Sequence, residues 1–145
     1  MGVRRQAREA AVQLVYMCDF LNRWDIEEVL FAFTHFGING AVRPYSEVLL
    51  RGVVESLPKL DSCITRSSEH WSLGRMSRVD RAIIRVAAFE LAFLPDVPKN
   101  VAINEAIEIA KRFGSDESPN FVNGVLDRLA SIIQATDDSQ NLKIA

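Results

Sequence analysis

The chain has 145 residues, of which 48% are hydrophobic and 25% charged, with a formal net charge of −2. This is the size and balance of one globular domain with a working core, and it excludes a disordered chain. The apolar runs are short and broken by Arg or Glu and the start lacks a signal-peptide core, so neither a membrane span nor secretion is expected.

Apolar spacing is helical almost throughout. Ala7, Ala10, Ala11, Leu14, Val15, Cys18 and Leu21 form one stripe in steps of three and four. A second helix is predicted from Asp25, a capping residue with Glu28 three positions on. Ile26, Val29, Leu30 and Phe33 face inward, and Gly37 ends it. After a loop at 38–43, Tyr45, Val48, Leu49, Gly52, Val53 and Leu57 give a third stripe. Pro58 then interrupts, and a fourth, less amphipathic helix follows from Leu60 to about Glu69. "HWSLGRM" (70–76) reads as a linker hinged at Gly74. Ser77 opens a fifth helix, with Asp80 as its cap-box partner and Val79, Ile83, Val86, Ala87 and Leu91 inward. Pro95 and Pro98 end that segment. Asn100 is the expected cap of a sixth helix carrying Ile103, Ala106, Ile107, Ala110 and Phe113, closed by Gly114. Ser118 caps the seventh, with Pro119 in its first turn and Val122, Val125, Leu126, Leu129 and Ile133 packing. The expected fold is all-α, about seven helices in two small bundles (about 1–70 and 71–134) packed as one domain, with a polar, frayed tail at 135–145.

Signs of catalysis are missing. His35 and His70 are far apart, without Asp, Cys or Glu at ligand spacing, and no nucleophile elbow or phosphate loop occurs. Glu105 and Glu108 read as solvent-facing partners of Lys111 and Arg112. Cys18 and Cys63 read as free thiols of a reducing cytoplasm. No enzyme, metal or cofactor is expected.

Three signals remain. Arg4, Arg5, Arg8 and Glu9 give residues 1–16 a charge of +2 in an acidic chain. On a helix the three guanidiniums share a patch, and Tyr16 returns to nearly the azimuth of Arg5. Cations beside an aromatic suit single-stranded RNA, whereas the plain alternative is a solvated terminus. Positive charge there opposes the helix dipole, so the arginines are expected to reduce stability slightly. Arg78, Arg81 and Arg85 share the side of the fifth helix opposite Ile83 and Val86. They read either as a solvent face partly neutralised by Asp80 and Glu90 or as a docking surface for an acidic protein or RNA. In "GSDESPNFVNG" (114–124), Phe121 lies off the inward stripe. It can stack on a base with Asn123 bonding a base edge, or close the bundle top with Gly124 permitting close packing.

Taken together, "RRQAREAAVQLVY", "RVDRAIIRVAAFEL" and "DVPKNVAINEAIEIAKRFGSDESPNFVNGVLDRL" (96–129) resemble the NusB family of bacterial transcription antitermination factors. The resemblance spans the chain, although 22–71 is matched only in helix layout. It implies an all-α, non-catalytic protein that pairs with NusE, a small-subunit ribosomal protein. The pair binds the single-stranded boxA element of nascent RNA and helps RNA polymerase pass terminators, notably in ribosomal RNA operons. By the same resemblance Arg4, Arg5 and Arg8 meet RNA phosphates and Phe121 faces RNA, while Tyr16 and Asp80 meet the partner. If the first and fifth helices are neighbours, Arg81 and Arg85 join that partner-binding surface. Gln6 interrupts the basic run, and Asn120 stands where relatives can carry Lys. Both imply weaker RNA binding without the partner. The competing reading is a helical protein-binding adaptor with no RNA role.

Overall fold

The computed structural model describes residues 2–35, 37, 38, 40–68 and 72–144, with side chains through residue 136. His70, part of the expected linker, lies outside the described residues. Among those described there are seven α-helices and no strand: α1 (Val3–Leu21), α2 (Ile26–His35), α3 (Arg43–Glu55), α4 (Leu57–Ser67), α5 (Arg78–Phe93), α6 (Lys99–Phe113) and α7 (Ser118–Ile144).

Local chemistry sets the ends. Asp25 Oδ1 accepts from the N–H groups of Glu27 and Glu28 at 2.9 and 3.4 Å, opening α2. Gly37, at φ +64°, takes the left-handed turn that closes it, and the following N–H of Ile38 returns to the Phe33 carbonyl at 3.2 Å. Pro58 sits in the first turn of α4, where its missing N–H costs nothing. The described end of the linker is a single 3-10 turn, Leu73–Arg75, that contains Gly74. Ser77 Oγ then accepts from Asp80 N at 3.0 Å, capping α5.

The core is organised around α5. Every residue from Ala82 to Glu90 is buried, because the helix packs against α1, α3, α4, α6 and α7 at once. A single inward stripe is what periodicity predicts; being surrounded is what position imposes. Gly52 of α3 makes one of these contacts possible, since a Cβ there would run into the Phe89 ring. The apolar core is continuous from α1 to α7, crossing the linker between the halves.

Several expectations fail at the edges. Val48, Leu21 and Phe113 are exposed, because the neighbouring helices cover only part of each stripe. The fourth helix is not weak: Leu60 and Ile64 are fully buried beneath it. α6 starts at Lys99 behind Pro98, whose fixed φ prepares the first turn, rather than at a cap on Asn100. Ser118 opens α7, but its hydroxyl serves the preceding loop by accepting from Ser115 N at 2.9 Å. α7 continues to Ile144 through the segment expected to fray, where the Thr136 hydroxyl bonds back to the Ile132 carbonyl at 3.0 Å.

Candidate nucleic-acid and partner interface

The three opening arginines do not fan from one patch. Arg8 is 5% exposed and Glu90, from the middle of α5, is 1% exposed. Arg8 Nε and Nη2 donate to the Glu90 carboxylate at 2.9 Å each, and the Tyr45 hydroxyl of α3 donates to the same group at 2.5 Å. Burial works against the Arg8 charge, but the hydrogen bonds and charge of Glu90 outweigh it and raise its pKa above the ordinary value. Arg8 is therefore a structural ion, and the expectation that these arginines only reduce stability is overturned for it. Arg5 donates from Nε to Glu105 at 2.6 Å and from Nη2 at 3.2 Å, a pair that raises its pKa. Arg4 is exposed, with its guanidinium carbon 3.8 Å from the centroid of the Tyr45 ring.

The aromatic that the arginines meet is thus Tyr45, not Tyr16. Tyr16 stacks on Phe20, with centroids 6.3 Å apart, and lines a groove of about 210 Å³ with Val12, Gln13, Val79 and Phe113. Glu105 and Arg112 are not partners of their own helix alone. Glu105 reaches Arg5, and Arg112 Nη1 donates to both oxygens of Glu9 at 2.8 and 3.0 Å. These pairs tie α1 to α6, and Glu108 keeps the expected helix-surface contact with Lys111 at 3.1 Å.

The basic face of α5 is also not a free surface. Arg81 donates to Asp19 of α1 at 2.7 Å and to the Leu73 carbonyl at 2.9 Å. Arg85 is buried, donates to both oxygens of Asp61 in α4 at 2.9 and 3.0 Å, and lies over the Trp24 ring. Neutralisation comes from Asp19 and Asp61, not from Asp80 and Glu90. Only Arg78 of the three is exposed, its guanidinium 5.5 Å from the centroid of the Phe20 ring. A docking surface built on Arg78, Arg81 and Arg85 together is absent, and with it the main support for an adaptor using that face.

Asp80 and Phe121 come together. Both line a cleft of about 290 Å³ with Arg75, Met76, Ser77, Ser115 and Glu117. Asp80 is 9% exposed, and its Oδ1 is buried without a hydrogen-bond partner. Phe121 is half-buried against the core, one helical step from the buried Val122, and Asn123 is exposed on the same turn. Gly124 has open space around it, so it does not serve close packing. Since Val79 belongs to the Tyr16 groove and Asp80 to the Phe121 cleft, the two depressions adjoin at the start of α5.

Sequence reasoning missed Tyr45, Glu90, Asp19 and Asp61. Glu90 could have been found, since a carboxylate inside "VAAFELAF" needs a buried cation. Among the described residues no cluster of three or more His, Cys, Asp or Glu could hold a metal, and no helix is long and apolar enough to cross a membrane. His35 is exposed at the end of α2.

Residues 5–131 match the profile described as the NusB family. The chain is 45% identical over 135 residues to transcription antitermination protein NusB of Geobacter sulfurreducens, covering 92% of this chain and 97% of the relative. It is 48% identical over 130 residues to the protein of that name from Trichlorobacter lovleyi, covering 89% and 91%. The solved structure of T. maritima NusB superposes with a TM-score of 0.80 at 38% identity, covering 90% and 92%. A structure of antitermination factors NusB and NusE in complex with dsRNA shares the fold, with a TM-score of 0.80 at 24% identity and coverage of 91% and 98%. Matched over nearly its whole length in sequence and in fold, the chain belongs to the NusB family.

Proposed function

We propose that the chain is a non-catalytic, cytoplasmic transcription antitermination factor. It pairs with NusE and binds boxA-type single-stranded RNA, so that RNA polymerase reads through terminators, notably in ribosomal RNA operons. The family and the names of its relatives support the role. The observation that carries it is the cleft that Phe121 and Asp80 both line, next to the groove of Tyr16. An aromatic wall takes a base by stacking, and Asn123 offers an amide to a base edge. Arg4 and Arg5 supply phosphate contacts, Arg5 sharing its charge with Glu105. Arg8 acts from beneath, by holding the first turns of α1 on the core. On the partner side Tyr16 is the aromatic anchor and Asp80 the orienting charge. Arg81 and Arg85 fix the angle between α1, α4 and α5 that brings those two together.

The test is a titration of fluorescent single-stranded boxA-type RNA with the chain alone and with NusE, for wild type and Phe121→Ala. Wild type binds more tightly with NusE, and Phe121→Ala loses roughly 1–3 kcal/mol of RNA binding. Thermal melting of the same variant separates a core role. Wild-type RNA affinity per folded molecule, together with a large drop in Tm, removes Phe121 from the RNA site.

A further inference from the structure

By sequence Tyr45 is one more residue of an inward stripe, but its surroundings are not those of a core aromatic. The ring is gripped at one end, where its hydroxyl donates to Glu90, the carboxylate that also holds Arg8. Its face is covered by the exposed Arg4 guanidinium at 3.8 Å, with the Arg8 guanidinium at 5.6 Å. The first turn of α1 is thereby joined through one ring to the most buried ion pair among the described residues.

We propose that Tyr45 is a positioning residue of the RNA face, holding the Arg4 guanidinium flat so that its N–H edges point outward to receive a phosphate of single-stranded RNA. The inference rests on the reading above that the start of α1 meets RNA. A face-on contact with a ring uses the π cloud and leaves the in-plane N–H donors unused. Arg4 accordingly has no hydrogen-bond or ion-pair partner among the described residues, in contrast to Arg5, whose Nε and Nη2 both bond Glu105. An arginine already ordered on a ring also loses less rotamer freedom when a phosphate arrives. The hydroxyl matters as well as the ring. Donation to a carboxylate pushes electron density into the π system and strengthens its hold on a cation. Burial, reinforced by Glu90, pushes the phenol up to about 12, so it stays a donor well into the alkaline range.

The experiment is a double-mutant cycle on RNA affinity, measured with the full chain in complex with NusE over a salt series. Arg4→Ala is expected to weaken binding and to flatten the log–log salt slope by about 0.7. Tyr45→Leu, which removes no charge, is expected to weaken binding roughly two- to tenfold. In the Arg4→Ala background it should add nothing, because Tyr45 acts through Arg4. Melting curves verify that each variant is folded. Should Tyr45→Leu not fold, the cycle with Tyr45→Phe decides: a smaller but non-zero coupling to Arg4 is expected, and zero coupling overturns the proposal. Full additivity of Tyr45→Leu and Arg4→Ala, or wild-type affinity in Tyr45→Leu, overturns it while leaving the RNA-binding reading intact. A silent Arg4→Ala also overturns it, while the RNA-binding reading itself is decided by the Phe121→Ala titration above.

Discussion

The two arginine triplets, Arg4, Arg5 and Arg8 on α1 and Arg78, Arg81 and Arg85 on α5, are built on the same gradient. In each, the outermost guanidinium lies over an aromatic ring: Arg4 over Tyr45, Arg78 over Phe20. The middle one pairs with a carboxylate of another helix: Arg5 with Glu105, Arg81 with Asp19. The innermost is buried, its guanidinium forked onto a carboxylate of another helix: Arg8 onto Glu90, Arg85 onto Asp61. Three cations on one helix end are thus three different objects, graded by depth. The triplets differ in how well the deep end is closed. Glu90 is sealed and also takes the Tyr45 hydroxyl, whereas Asp61 keeps 26% of its side chain exposed and Arg85 Nη1 has no hydrogen-bond partner, only a charge contact with Asp19 at 3.4 Å. The outer ring follows suit: Tyr45 is anchored, while Phe20 is 60% exposed.

The sharpest way to break this comparison is at the deep ends. Arg8→Ala leaves Glu90 as an uncompensated buried charge and is expected to cost about 3–5 kcal/mol in denaturant unfolding. A loss below about 1 kcal/mol would mean that Glu90 is reached by water after all. Arg85→Ala is expected to cost less, about 1–3 kcal/mol, because Asp61 and Asp19 remain partly hydrated when their partner leaves. If the two variants ranked the other way, the difference in closure between the triplets would have no energetic meaning.

The smallest effect lies at alkaline pH. Tyr45 is raised from 10.0 to about 12, by burial first and then by Glu90, so the fold favours the neutral phenol. Its contribution is fully present below about pH 10 and is lost as pH rises toward 12. Cys18, raised by burial to about 11 from 9.0, adds a loss of the same sign slightly earlier. Unfolding free energies measured between pH 9 and 12 should therefore fall for wild type. Tyr45→Phe should fall less steeply above pH 10, and identical curves would detach the phenol from the Glu90 pair.

Most of the fold was legible because helix periodicity, caps and breakers are local. Asp25, Gly37 and Ser77 act within a few residues of themselves, and each does in space what its position in the sequence implies. The site was legible only in part. Phe121 and Asp80 share a cleft, and Tyr16 lies beside it, all three at positions that local spacing can find. The arginines were misread as a group because depth is a tertiary property. Nothing around Arg8 within its own helix distinguishes it from Arg4; Glu90, 82 positions away, does. For Tyr45 the signal was present but ambiguous, since a stripe aromatic and a platform for a cation have the same spacing.

The ion pairs of α1 also bear on how the protein is made. Arg8 waits for Glu90, Arg5 for Glu105 and Glu9 for Arg112, separations of 82, 100 and 103 residues. A ribosome that has released only the first half of the chain has released Tyr45 and Ser46, which meet Arg4 and the Ala7 carbonyl, but none of the partners of these ion pairs. The segment synthesised first completes its ion pairs last, and a product truncated before residue 90 would leave Arg5 and Arg8 without their carboxylates, next to an Arg4 that pairs with none. Such a fragment would attract polyanions without selectivity, and only completion of α6 turns that attraction into a shaped surface.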